Sequence, residues 1–375
     1  MQITMATKFR LYPNKVQSNQ INAILNCCRF VYNHMLSRNI KAYKRRGEHL
    51  SYNDMQNILP QMKKYLSWLN VDSQALKYAC RQLDTAYQKF FKHEADFPKF
   101  HKKNGRQAYT NTQSNTIHID GKKVKIPTIG WVKAKGIRSL PEDAKICYIT
   151  VSRDPDGKYY GSVTYKYEAE IQSEEISSVI GLDYKSDGLY VDSNGRIADM
   201  PHWFRNSQTK LIREQRKLSK KIGSRKGEIK SSGWKKQHRK VTKIQKKIAN
   251  QRLDYLHKLS KELADKYDAV AIEDLDMRAI SNKGFGNGKA TLDNGYGMFA
   301  TMLDYKLKHR GKQLIKVDRF YPSSQLCSYC GNKQKMPLYI RVYTCSCCCA
   351  EIDRDYNAAL NIKHEAERMI RLKTV

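Results

Sequence analysis

Residues 327–362 read CSYCGNKQKMPLYIRVYTCSCCCAEIDRDYNAALNI. Cys327-x2-Cys330 is followed, across a polar and basic loop, by Cys345-x2-Cys348. Two such pairs flanking a short loop place four thiolates around one Zn²⁺, each pair turning on a knuckle. A disulfide pair or free core cysteines is the plainer alternative, and the spacing argues against it. Cys347 and Cys349 leave the second pair open, although Cys345 and Cys348 keep the two-residue gap of the first. Past the cysteines stand Asp353 and Asp355, and Asn-Ala-Ala then opens a helix.

Moving upstream, Leu314 to Val317 reads as a strand and Phe299 to His309 as a helix. Residues 281–295 are rich in Gly and Asn and read as a mobile loop beside the site. Residues 269–275, AVAIEDL, form an apolar strand that delivers Glu273 and Asp274. Residues 207–266 are very basic. Val241, Ile244, Ile248, Leu256, Leu259 and Leu263 recur there at helical spacing, which predicts one or two long helices lying on a phosphate backbone. A solvated helical arm would mix both signs of charge, and acids are scarce here. Further upstream, Val179 to Leu182 is an apolar strand ending on Asp183, and Leu189-Tyr190-Val191 is a second strand closed by an Asn194-Gly195 turn. A carboxylate at the end of a buried strand is costly unless it binds something. Hairpin with Asp, helix, strand with Glu, helix, strand, cysteine insertion, Asp at a helix head: this order is that of an RNase H-like α/β layer.

The N-terminal half has a different texture. Residues 3–12 predict a short strand. Helices follow from Lys15 to about Lys44, from near Ser51, and from Asp72 to Phe91. In the third helix Leu76, Cys80, Leu83, Tyr87 and Phe90 make one apolar stripe, and Gln74, Lys77, Arg81 and Gln88 make the opposite face. From Phe97 basic residues interleave with aromatics, and hairpins follow with turns at Asp120-Gly121 and Asp156-Gly157. Short strands of this kind predict a small β-barrel or sandwich, with the helices inserted after its first strand. Such a surface suits phosphate contact and base stacking, and equally suits a plain exposed sheet.

The 375 residues suffice for two or three domains, and a formal net charge of +33 implies a polyanionic partner, long nucleic acid above all. No apolar run approaches the ~20 residues needed to span a membrane. The start, MQITMATKFRLYP, lacks the apolar core of a signal peptide, so the ten cysteines are expected in a reducing cytoplasm. Three acids on separate elements suit phosphodiester hydrolysis, because Mg²⁺ prefers carboxylate and phosphate oxygens. Two ions ~3.5–4 Å apart would generate the attacking hydroxide and stabilise the leaving oxygen. No Ser-His-Asp or Cys-His set is suggested.

Together these residues resemble the TnpB (OrfB) proteins of bacterial insertion sequences, relatives of the type V CRISPR effector nucleases. The resemblance covers nearly the whole chain. It includes FRLYPN (9–14), CRFVYNHML (28–36), DSQALKYACRQLDTAYQKFF (72–91), FPKF (97–100), IPTIGWVK (126–133) and VSRDPDGKYY (151–160). Its specific part is GLD (181–183), IEDL (272–275), YPSSQLCSYCG (321–331), YTCSCC (343–348) and DRDYNAALNI (353–362).

The resemblance implies an α/β multidomain chain. A β-barrel (wedge-like) domain would comprise 1–14 and 95–172, with a helical recognition domain at 15–94. An RNase H-like (RuvC-like) nuclease domain would comprise 173–320 and 351–375, with a zinc-ribbon insertion at 321–350. It implies Asp183, Glu273 and Asp355 as catalytic residues on two Mg²⁺ ions, with Asp353 in reserve. Cys327, Cys330, Cys345 and Cys348 would hold one structural Zn²⁺. It further implies a guide RNA from the transposon end and double-stranded target DNA, with one protein chain per RNA. A short adjacent motif would be read near Tyr52, Ser73, Gln74 and Lys77, in the nucleoid-associated cytoplasm of a bacterium. Lys185 stands where the family usually has Gly, and Cys349 likewise. Some family members have lost their acids and only bind; this chain keeps all three. A silent RNA-guided regulator and a protein-only transposase are the alternatives to an active guided nuclease.

Overall fold

The computed structural model describes residues 2–103, 105–170, 175–225, 227–281, 288–337 and 339–374. The chain forms two units, residues 1–169 and 170–375.

The first unit opens with strand β1 (Gln2–Tyr12) and helices α1 (Lys15–Arg46), α2 (Tyr52–Tyr65) and α3 (Ser73–Phe91). Strands β2 (Gln107–Asn111), β3 (His118–Asp120), β4 (Lys123–Ile126), β5 (Gly130–Lys135), β6 (Lys145–Arg153) and β7 (Tyr159–Glu168) follow. Each helix start is encoded locally. Asn14 and Gln17 form a reciprocal capping box on α1, and Ser51 and Asp54 form another on α2. Asp72 caps α3 by accepting from the Gln74 and Ala75 amides. Its other oxygen accepts from Asn111 Nδ2 at 2.5 Å, so this buried carboxylate joins the helix to β2. The strands make one antiparallel sheet in the order β2-β6-β7-β1-β5-β4-β3, in which β1 pairs along its length with β7 and at its end with β5. The predicted stripe of α3 is buried at Leu76, Cys80, Leu83 and Tyr87, while Phe90 is half-buried. It packs with Leu25, Val31 and Met35 of α1 and with Val151 and Val163 of the sheet in one core.

The second unit contains β8 (Val179–Tyr184), β9 (Tyr190–Asp192), β10 (Ile197–Ala198), α4 (Trp203–Ser219), α5 (Ser232–Lys266) and β11 (Ala269–Glu273). Next come α6 (Met277–Ile280), α7 (Gly288–Asn294), α8 (Tyr296–Lys308), β12 (Gln313–Val317), β13 (Val342–Thr344), β14 (Glu351–Asp353) and α9 (Arg354–Thr374). The sheet order is β10-β9-β8-β11-β12. β8, β9 and β10 form an antiparallel meander, and β11 and β12 are parallel to β8. The basic segment is thus two helices, broken where Gly223 takes φ +95. Of the 281–295 loop, residues 282–287 lie outside the described residues, and 288–294 are helical rather than looped.

Alternation along the strands assigns the two faces. Ile180, Leu182, Val270 and Ile272 pack with Leu256, Leu259 and Leu263 of α5 and with Phe299 and Leu303 of α8. Ala269, Ala271, Ile315 and Val317 pack with Ile362 and Ala366 of α9. The small residues of β11 therefore face α9, and the bulky ones face α5 and α8. Among the described residues no helix is long and apolar enough to cross a membrane.

Candidate carboxylate and cysteine centres

Leu182 pairs with Ile272 in the parallel register of β8 and β11, so the next residues, Asp183 and Glu273, leave neighbouring strands side by side. By alternation both belong to the face of Gly181 and Ala271, the face that α9 covers. Gly181 is what lets α9 come down onto β8. A Cβ there would lie 2.2 Å from the carbonyl oxygen of Ala359 and 2.6 Å from the amide nitrogen of Lys363. Asp355 sits one helical turn before Ala359, and so arrives above Asp183.

The electrostatics reflect that convergence. Burial raises the Asp183 carboxyl well above the usual range, and the charges of Glu273 and then Asp355 raise it further. Burial also raises Glu273, against the pull of a hydrogen bond from Ser323 Oγ to its Oε1 at 2.5 Å. Asp355 Oδ2 lies 3.7 Å from Lys185 Nζ. The Asp183 carboxylate accepts no hydrogen bond among the described residues. The three carboxylates are neighbours, yet they are not closed into a tight cluster. Among the described residues only Cys327, Cys330, Cys345 and Cys348 gather closely enough to hold one ion as they stand. An acceptor-only oxygen set, one member unpartnered and proton-hungry, fits a hard divalent cation.

Asp353 occupies a different position from Asp355. It ends β14 and accepts from the Tyr356 amide at 2.9 Å, capping α9. Its charge also ranks behind that of Asp355 in its effect on Asp183.

At the cysteine centre the four sulfurs lie within 4.8 Å of one another. Cys327 is 3.6 Å from Cys348, and Cys330 is 3.6 Å from Cys345. Tetrahedral thiolates with ~2.3 Å bonds to Zn²⁺ would be about 3.8 Å apart, so the set fits that ion. The amides of Cys348 and Cys347 donate to Cys345 Sγ and hold its thiol down at about 6. Cys347 and Cys349 are exposed and outside the cluster.

Two asparagines tie the centres together, and neither was singled out in the sequence. Asn357 Nδ2 donates to Leu326 O and its Oδ1 accepts from the Ser328 amide. Asn361 Nδ2 donates to Ser323 O and Leu326 O. Both are buried, one turn apart on α9. They clamp the first knuckle, and through Ser323 they fix Glu273. The signal lay in NAALN, where two Asn recur at i, i+4 inside an apolar helix face.

In the first unit, Ser73 and Gln74 open α3 and Lys77 begins its second turn, with Ser73 and Lys77 exposed. Lys63 Nζ donates to Ser73 Oγ at 2.6 Å. Tyr52 opens α2, and the Arg81 guanidinium of α3 lies 5.0 Å from its ring centroid. The start of α2 therefore lies beside the middle of α3, and the end of α2 beside the start of α3, so Tyr52 stands apart from Ser73, Gln74 and Lys77.

Comparison with known proteins follows the same division of the chain. A family model described as "Probable transposase" (OrfB_IS605) matches residues 162–283. A "Cas12f1-like, TNB domain" model matches 296–362, and a "Helix-turn-helix domain" model of OrfB_IS605 matches 1–48. A Streptomyces pristinaespiralis protein named "Putative RNA-guided DNA endonuclease" is 32% identical over 366 residues, covering 96% of this chain and 89% of its own. The chain belongs to the TnpB/OrfB family. A second TnpB/OrfB relative, "Putative RNA-guided DNA endonuclease InsQ" of Escherichia coli (strain K12), is 30% identical over 380 residues, covering 96% of this chain and 92% of its own. The fold is similar to that in the "Cryo-EM structure of the Cas12f1-sgRNA-target DNA complex", with a TM-score of 0.58 over 96% of this chain and 99% of that chain at 13% identity. Within residues 1–48 this TnpB/OrfB chain has one strand and one 32-residue helix, which ends at a left-handed Gly47.

Proposed function

We propose that this TnpB/OrfB chain is a transposon-encoded, RNA-guided DNA endonuclease that hydrolyses phosphodiester bonds with Mg²⁺ held by Asp183, Glu273 and Asp355. The observation that carries the proposal is the convergence of those acids, from β8, β11 and α9, on one sheet face. The chain is also nearly coextensive with two relatives that bear that activity in their names. The meander followed by parallel strands supports an RNase H-like (RuvC-like) domain, with residues 321–350 as its zinc ribbon. Insertion of α1–α3 between β1 and β2 supports reading the other unit as a wedge-like barrel (1–14 and 95–172) carrying a helical recognition domain (15–94).

Each residue has a distinct task. Asp183, whose carboxylate accepts no hydrogen bond among the described residues, would supply oxygen ligands to the metal. Ser323 orients Glu273 by occupying one of its oxygens. Asp355 is delivered by α9, whose seat on Gly181 and whose Asn357 and Asn361 clamps fix its height above the sheet. Two Mg²⁺ ions, when bound, would activate water and offset charge on the phosphate and leaving oxygens. Zn²⁺ on Cys327, Cys330, Cys345 and Cys348 would hold the loop that precedes α9.

The net charge of +33 suits two polyanions at once, a guide RNA from the transposon end and double-stranded target DNA. Tyr52, Ser73, Gln74 and Lys77 would meet the DNA that flanks the paired segment, in the cytoplasm and nucleoid of a bacterial host. A protein-only transposase is the second reading, favoured by the description of the family model on 162–283. Copurified RNA separates the two. The guided reading expects a discrete RNA whose digestion abolishes cutting of a matched duplex; cutting that survives ribonuclease would favour the transposase.

A further inference from the structure

We infer that Lys185 is a resident cation of the carboxylate site, which competes with divalent metal for Asp355 and so sets the metal affinity of the free protein low. The inference rests on the carboxylate reading above.

Lys185 lies in the tight connection between β8 and β9. Its amide donates to Leu189 O, and its carbonyl accepts from the Gly188 amide, both at 3.2 Å. The side-chain stem runs over Gly188, where a Cβ would meet Lys185 Cδ at 3.5 Å. Asp187, two residues on, accepts from Arg205 Nη1 at 2.7 Å and feels the Lys185 charge only behind those of Arg205 and His202. The stem and the turn therefore send the Lys185 ammonium to Asp355 Oδ2, 3.7 Å away. Both side chains are partly shielded from water, at 32% and 23% exposure, so their attraction is only partly screened.

Asp355 would have to share its carboxylate between a metal and this ammonium, or release the ammonium, and either would weaken metal binding. The phosphodiester of a bound strand reverses the balance, because its charge attracts the metal and offers the ammonium a second partner. Lys185 thereby makes metal loading depend on substrate, and its effect is the opposite of that expected for a metal ligand.

The test is Mn²⁺ binding to the zinc-loaded, full-length protein without nucleic acid, read from the electron paramagnetic resonance of free Mn²⁺. Lys185→Met and Lys185→Gln keep the stem and remove the charge. They are expected to bind the Mn²⁺ that Asp183→Ala eliminates about three- to tenfold more tightly than the wild type, as removal of one nearby unit charge predicts. Lys185→Arg is expected to match the wild type. Unchanged or weaker binding in both neutral variants overturns the inference while leaving the carboxylate site intact. Absence of any Mn²⁺ sensitive to Asp183→Ala, in wild type and variants alike, removes the carboxylate site and the inference with it.

Discussion

The position of Gly181 relative to Ala359 governs the geometry of the carboxylate site. A Cβ on Gly181 would stand 2.2 Å from the Ala359 carbonyl oxygen, so strand and helix backbones are in direct contact. That contact fixes the depth at which α9 crosses β8, and hence how near Asp355 comes to Asp183. Gly181→Ala must push the helix away, because the obstacle is backbone. The variant is expected to lose about 1–3 kcal/mol of stability, as overpacked cores do, and to lose DNA cleavage more steeply than RNA binding. Chemical denaturation and cleavage of a matched duplex measure both. A variant with wild-type cleavage would show that α9 does not set the site.

Asp353 and Asp355 are two residues apart and have different environments. Asp353 caps α9 through the Tyr356 amide, whereas Asp355 faces Lys185 and the other two acids. Asp355→Asn is therefore expected to abolish cleavage with little change in melting temperature. Asp353→Asn should cost about 1 kcal/mol or less, since Asn also caps helices, and keep most of the activity. The reverse pattern in paired melting and cleavage assays would exchange their roles.

The cysteine cluster predicts one tightly held zinc ion per chain by elemental analysis. Cys327→Ser or Cys345→Ser should release it and expose the 323–350 segment to protease. Cys347→Ser should keep it, because that thiol is exposed and outside the cluster. Cys349→Gly should keep the ion and gain roughly 0.5–1 kcal/mol, because Cys349 has φ 57, a backbone conformation that suits glycine. Zinc lost from Cys347→Ser would reassign the second pair.

Much of this arrangement is legible in the sequence, and the illegible part has physical causes. The helix starts at Asn14, Ser51 and Asp72 are local hydrogen-bonding signals, and they stand where residue type puts them. The alternation AVAIE in β11 announces one face of small residues and one of large, with Glu273 on the small side. Strand order is not local: nothing within residues 179–184 says that β11 will be the neighbour of β8. The break between α4 and α5 rests on a turn closed by Lys230 and Glu228 against Gly223, which helical periodicity does not record. Residues 288–294, at the end of the Gly- and Asn-rich stretch, hold only one of each and are helical, supported by the buried Asp293 against Arg252 at 3.0 Å and by Asn294 against Tyr184. Asp183 and Glu273 were readable as acids at strand ends, and Asp355 as an acid at a helix head. The asparagines of NAALN were visible as a spacing, but their purpose and that of Ser323 show only once their partners are placed.

Asp268 provides a pH test of the same sheet. Its Oδ2 accepts from the amides and hydroxyls of both Ser177 and Ser178, joining the start of β8 to that of β11. Those bonds, the Ser178 hydroxyl foremost, hold its carboxyl down at about 2. A carboxyl lowered in the folded state stabilises above its unfolded value of about 4, and the contribution is lost as pH falls towards 2. Asp268→Asn should thus be about 1–3 kcal/mol less stable than wild type at pH 7, and the gap should narrow between pH 4 and 2. Denaturant midpoints across that range measure it, and a gap independent of pH would contradict the assignment.

The most direct measurement is cleavage of a guide-matched DNA duplex by the purified protein–RNA complex in Mg²⁺, wild type beside Asp183→Ala. Cut product from the wild type and none from the variant, with equal RNA retained by both, is the predicted result. Cutting by Asp183→Ala at the wild-type rate would contradict the account.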